Sequence, residues 1–131
     1  MARLGRLLRR PDLTERAVAA ARSVGRSLSR YPTAHTALTG TLGQFEADAG
    51  EIVIVGSGSD PAVHEMLSTA RLGFNPHRLI VLVDTDKVDN PLFEIAPHFK
   101  DYKSIDGRST AYVCRNFVCE APTTSVEELK P

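Results

Sequence analysis

The chain has no tryptophan, and aromatic residues make up only 6% of it. Basic side chains are nowhere interleaved with aromatic ones, so there is no stacking platform for bases and a nucleic-acid partner is not expected. Two cysteines are too few for a disulfide scaffold, and that count fits a reducing compartment. No apolar run approaches the ~20 residues needed to span a bilayer, which argues against a membrane partner. Net charge is also missing, since sixteen basic groups balance sixteen acidic ones. The histidines, His35, His64, His77 and His98, are scattered. No two of them fall at ligand spacing beside the cysteines, so no zinc site is expected. No Ser-His-Asp order or paired-carboxylate arrangement stands out either. Catalytic residues, metal ligands and a cofactor are therefore not assigned.

The neutral total hides an asymmetry. The first thirty residues carry eight arginines against Asp12 and Glu15, and the remainder carries the opposite excess of acid. An arginine-rich, serine-containing amphipathic front end is one form of mitochondrial presequence. Asp12, Glu15 and the proline punctuation favour the other reading, a structural helix pair with a solvated arginine face in a cytoplasmic protein. Met1, Leu4, Leu7 and Leu8 recur at helical spacing, and Pro11 ends that segment. Asp12 or Thr14 is the expected cap of a second helix running to about Ser29. Its stripe is Leu13, Ala17, Ala20, Ala21, Val24 and Leu28. Tyr31-Pro32 breaks the chain, and a third helix is expected from Thr33 to about Phe45, with Leu38, Leu42 and Phe45 on one side. Asp48-Ala49-Gly50 reads as the turn that leaves this helical segment.

The organising stretch is Glu51–Gly56, EIVIVG, a β-branched run ending in glycine. Arg78–Asp84, RLIVLVD, is a second continuous aliphatic run. Such runs imply strands buried on both faces, as in a parallel sheet covered by helices. Between them, Asp60 is a good N-cap and Pro61 suits the first helical position. Val63, Met66, Leu67, Ala70 and Phe74 form an amphipathic face, Gly73 suits the C-terminal cap, and Asn75-Pro76 forbids continuation. The pattern predicts a β-α-β unit. A short helix is expected after Asn90-Pro91, a third strand at Thr110–Cys114, and a final short helix opened by the capping-box pattern Thr124 to Glu127. The fold class expected is thus α/β: a small, mostly parallel three-stranded sheet with a β-α-β unit, preceded by two or three helices. The division expected is residues 1–47 helical and 48–131 α/β.

Two features invite a chemical reading. Gly56-Ser57-Gly58-Ser59 follows a buried strand and opens a helix, the context in which a glycine-rich loop seats a phosphate on a helix N-terminus. Asp84, at the end of the second strand, suits a ribose hydroxyl. Against that, Pro61 replaces the third glycine, and Asp60 at the cap repels a phosphate. The alternative is a tight strand-to-helix turn. Cys114 and Cys119 are not at thioredoxin-type spacing. They read as a buried thiol at a strand end plus one in a loop, with a reversible disulfide pair as the alternative; that bond requires a tight turn between them.

Residues 111–129, AYVCRNFVCEAPTTSVEEL, carry a resemblance. Ala111-Tyr112-Val113-Cys114, then Asn116, Cys119 and Pro122 before an acidic helix, resemble the C-terminal end of the spermatogenesis-associated, thioredoxin-domain-containing protein family. EIVIVG, Asp60-Pro61, Pro76-x-Arg78, RRPDLTERA and Arg30-Tyr31-Pro32-Thr33-Ala34 resemble the same family in the same order. Full-length members have a thioredoxin-like domain, a six-hairpin α-helical barrel similar to sugar epimerases and glycosidases, and a closing α/β segment. The resemblance implies that this chain corresponds to the last barrel helices and that closing segment, without the family's C-x-x-C. It therefore implies a non-catalytic fragment with a structural or interaction role. The expected partner is the rest of a parent helical barrel, or another protein, through the apolar stripe of residues 4–28. The chain's end at Pro131, one turn into its last helix, reads as cut short. The other functions open at this point are a nucleotide- or phosphate-binding module built on Gly56, Ser57, Gly58 and Ser59, and a redox-active Cys114/Cys119 pair.

Overall fold

The computed structural model describes residues 1–46, 50–73, 75–115 and 118–129. The predicted turn at Asp48-Ala49, Phe74 and Asn116 lie outside the described residues, as does the side chain of Phe45. The chain divides into two compact units, Met1–Ala49 and Gly50–Pro131.

The first unit is helical. α1 spans Ala2–Leu7 and α2 spans Pro11–Ser23. Arg9 adopts a left-handed conformation, φ 51°, which reverses the chain between the two helices. Neither Asp12 nor Thr14 caps α2. Its cap position is Arg10, which makes no side-chain cap; instead the Arg10 guanidinium grips the Asp12 carboxylate at 2.7 Å through two nitrogens. Gly5 is the contact point between α1 and α2. A Cβ there would meet Thr14 Oγ1 at 2.6 Å. The second predicted helix is divided in two, because the chain breaks at Val24 and resumes as α3, Gly25–Arg30. A 3₁₀ turn, Pro32–His35, then leads into α4, Thr36–Glu46. His35 Nε2 lies 2.8 Å from Ser27 Oγ and ties that turn back to α3.

The second unit is an α/β fold on a four-stranded mixed sheet in the order β2-β1-β3-β4. β1, Gly50–Gly56, pairs in parallel with β2, Leu79–Asp84, from Glu51↔Leu79 to Gly56↔Asp84. The predicted β-α-β unit is therefore present. α5, Pro61–Ala70, is its covering helix. Asp60 Oδ1 accepts from the Ala62 amide, as its cap position requires. Gly73 takes φ +76° just past the helix end, and the Arg78 guanidinium donates to the Ala70 carbonyl at 2.9 Å. The arginine that opens β2 thus also caps α5.

The sheet is not mostly parallel. β3, Thr110–Arg115, runs antiparallel to β1, and β4, Val118–Cys119, runs antiparallel to β3. The reason lies in the connection. A parallel third strand would need a crossover that carries the chain back across the sheet. Residues 85–109 hold only α6, Leu92–Ile95, and a 3₁₀ turn, Pro97–Asp101. The chain therefore stays at the end where β2 finished and re-enters beside β1 there, with Thr110 opposite Val55.

Burial follows that order. Ile52, Val53, Ile54 and Val55 in β1 are at most 2% exposed. β2 departs from the enclosure its sequence suggests: Leu79 and Val83 are buried, but Ile80, Val81 and Leu82 are only partly so, since nothing pairs beyond this edge strand among the described residues. On one face Ile52, Ile54 and Ala111 pack with Val63, Met66 and Ala70 of α5 and with Leu129. The opposite face carries Val53, Val55 and Tyr112 by strand alternation. There the Tyr102 ring meets Tyr112 edge-on, with centroids 5.0 Å apart, and Phe99 packs beside Tyr102.

The predicted C-terminal helix is a turn. Thr123 exchanges two backbone hydrogen bonds with Ala111. The cap is shifted by one residue, with Ser125 Oγ accepting from the Glu128 amide. One turn then delivers Leu129, 2% exposed, into the core.

Candidate functional site

The carboxyl ends of parallel strands are where α/β sheets place ligands. In this chain those ends are Val55-Gly56 and Val83-Asp84, with the Gly56–Asp60 loop above them. Gly58 NH donates to Asp84 Oδ1 at 3.0 Å, and Asp86 NH donates to the same oxygen at 3.1 Å. These two amides hold the Asp84 carboxyl below the usual carboxylate range, Gly58 contributing most. Ser57 Oγ donates to Asp86 Oδ2 at 2.6 Å and lies 2.8 Å from Ser59 Oγ. On the far side of the loop, Asp60 takes a hydrogen bond from Ser109 Oγ of the segment entering β3. That bond, followed by the Ala62 amide, lowers the Asp60 pKa.

The loop residues Gly56, Ser57, Gly58 and Ser59 thus lie against a carboxylate. The amide a phosphate would need at Gly58 already serves Asp84. A Cβ on Gly58 would sit 3.0 Å from Asp84 Oδ2, so the glycine is there to admit that side chain. Three acidic residues, Asp60, Asp84 and Asp86, surround the loop and oppose an incoming anion. These contacts count against the phosphate-loop reading, and the tight-turn reading accounts for each residue.

Cys114 and Cys119 form a disulfide, which replaces the expected pair of separate thiols. They are direct partners in the β3–β4 ladder, with Cα atoms 3.8 Å apart. Cys114 is buried and Cys119 is exposed. The Tyr102 hydroxyl lies 3.9 Å from one sulfur and 3.7 Å from the other. Spacing in the sequence gave no sign of Tyr102; only the return of residues 97–102 over the sheet brings it there.

No family model, no curated protein and no solved structure matches the chain. The described residues contain no group of three or more His, Cys, Asp or Glu side chains able to hold a metal ion. No helix among them is long and apolar enough to cross a membrane.

Below the loop, sequence reasoning missed a cleft of about 500 Å³. Its lining includes Val55, Val83 and Tyr102, all buried, together with the Phe93 ring. Lys87, Lys100 and Lys103, all exposed, also line it. Asp84 is the carboxylate in that lining, and Lys87 Nζ stands 3.5 Å from its Oδ2. The three lysines are separated in sequence by a proline-punctuated stretch without regular periodicity, so no pattern links them before the chain is folded.

Proposed function

We propose that the chain is a non-catalytic interaction module whose N-terminal helices complete a larger helical body. One observation carries the reading. In the Met1–Ala49 unit, Gly5 is the only buried residue among those whose burial is described. The stripe Leu8, Leu13, Ala17, Ala21, Val24 and Leu28 is only partly covered, and Leu4 is 47% exposed. Helices stabilised by so little burial depend on packing supplied from elsewhere. The resemblance to the closing part of the thioredoxin-domain-containing family names the occupant: further helices of a six-hairpin barrel. The loop at Gly56–Ser59 supports a non-catalytic role, since its polar groups are spent on one another and on Asp84 and Asp86 at the end of β2. The reading carries a cytoplasmic location with it; a mitochondrial one is the alternative, and a C-terminal fluorescent fusion distinguishes them.

Hydrogen exchange on the isolated chain, with its mass measured by sedimentation, tests the proposal. A monomer whose amides in 2–46 exchange freely, while β1 and β3 stay protected, is the expected result. A monomer with protected helices would show a self-sufficient unit and sink the reading. A dimer with protected helices would replace the barrel helices by a second copy.

A second reading is favoured by the exposure of Cys119 and the position of Tyr102. An external dithiol can attack Cys119 Sγ, displacing Cys114 as a thiolate that accepts a hydrogen bond from the Tyr102 hydroxyl. The second thiol of the reductant then completes the exchange; the disulfide gains two electrons and two protons, and the dithiol becomes a disulfide. Thiol counting against graded dithiothreitol tests it. A bond that resists reduction until the chain is denatured would exclude this role.

A further inference from the structure

The cleft beneath the carboxyl ends of β1 and β2 has no part in the interaction role, yet its composition is specific. Its cations outnumber its anions. Lys87 shares Asp84 with two backbone amides. Lys100 lies 5.8 Å from the Phe93 ring centroid, and no carboxylate among the described residues pairs with it or with Lys103. Three lysines against one aspartate leave an excess of two positive charges, which balances the two negative charges of a phosphate monoester dianion. Three ammoniums also match the three free oxygens of such a group better than the two of a carboxylate. Val55, Val83, Tyr102 and Phe93 supply an apolar part of the lining. Its volume falls in the range of small-molecule sites, roughly 300–1,000 Å³.

We propose that this cleft binds a small organic phosphate monoester, with the phosphate held by Lys87, Lys100 and Lys103 and an aromatic body laid on Val55, Val83 and Phe93. Asp84 has a positioning part. Its anchored oxygen fixes the strand end, and the other keeps Lys87 at the mouth of the cleft. The Gly56–Ser59 loop contributes no amide to the ligand. This separates the site from a glycine-loop phosphate site, which would use Gly58 NH.

Phenyl phosphate is the probe, titrated into the full chain and followed by amide and methyl NMR shifts, with inorganic phosphate and phenol in parallel. Saturable shifts at Thr85, Val88 and Ser104 with a Kd below about 1 mM are expected. Inorganic phosphate and phenol should each bind several-fold more weakly. The double variant Lys100→Gln/Lys103→Gln should lose about tenfold in affinity or more. Both side chains are exposed, so its melting temperature should hold; Phe93→Ala should weaken phenyl phosphate but leave inorganic phosphate unchanged. Absent saturation, equal binding by the lysine variant, or shifts centred on Ser57–Ser59 would each overturn the proposal. Tighter retention on phosphatidate-containing vesicles than on the free ester would overturn the small-molecule claim in favour of a lipid headgroup.

Discussion

Replacing Gly56 by alanine puts a methyl group where two neighbours already stand. Its Cβ would lie 2.5 Å from Ser109 Oγ, 3.1 Å from Ser109 Cβ and 2.7 Å from Val63 Cγ2. Ordinary contact begins near 3.4 Å, so both neighbours must retreat by most of an ångström. Neither is free to do so. Val63 is fully buried in the first turn of α5, and Ser109 is buried and holds Asp60. Overpacking in such a site costs about 1–3 kcal/mol, and clamping from two sides favours the upper half of that range. For a unit of this size, about 2 kcal/mol lowers the melting temperature by roughly 10 °C. Gly40→Ala is the internal control. Nothing lies within 4 Å of the added Cβ, and Gly40 belongs to the other compact unit, so the melting of the α/β unit should not move. Thermal and urea unfolding followed by circular dichroism measure both. A Gly56→Ala protein that melts within about 2 °C of the parent would refute the reasoning that close approach makes glycine necessary here.

Other consequences are open to measurement. Met66 is fully buried against Ile52 and Ile54, so Met66→Ala should cost about 3 kcal/mol in urea unfolding; a loss below about 1 kcal/mol would mean that α5 does not cover the sheet as described. Replacing both Cys114 and Cys119 by serine opens a loop of about six residues, which by chain entropy costs about 2 kcal/mol. The expected loss should vanish when parent and variant are compared under reductant. Asp60 and Asp84 are held below their ordinary range in the folded chain. The unfolded chain therefore takes up protons first as pH falls, and the stability they add is full above about pH 4 and lost as pH falls through the folded values. Asp84→Asn should flatten that acid limb, and an unchanged pH–stability curve would show that the two loop amides do not favour the charged form.

Much of this fold was legible because single residues carry decisive local information. The aliphatic run at Ile52–Val55, Asp60-Pro61 at a helix start and Gly73 past its end specify the β-α-β unit without reference to distant contacts. Strand direction beyond it was not legible. Thr110–Cys114 has the same strand character whichever way it runs, and only the lack of a long crossover in residues 85–109 decides. The continuous apolar pattern of β2 likewise describes hydrophobicity, not enclosure, so it could not tell an edge strand from a central one. Thr124-x-x-Glu127 and Ser125-x-x-Glu128 are both capping-box patterns, and tertiary pairing of Thr123 with Ala111 chose between them. The lysine cleft was hidden because Lys87, Lys100 and Lys103 come to line one cleft only after the chain has passed through two short helical turns.

β1 lies at the centre of the sheet, but both of its partners come later in the sequence. During synthesis, at about 5–20 residues per second, the stretch IVIV leaves the ribosome with no strand to pair with; β2 follows it, and β3, on its other side, comes only in the last third of the protein. An unpaired, uncharged aliphatic segment of that kind is prone to stack with copies of itself. Glu51 on one side and Asp60-Pro61 on the other are charge and proline gatekeepers flanking it. The residues that start the central strand and cap the covering helix thereby also guard the nascent chain during its most adhesive interval.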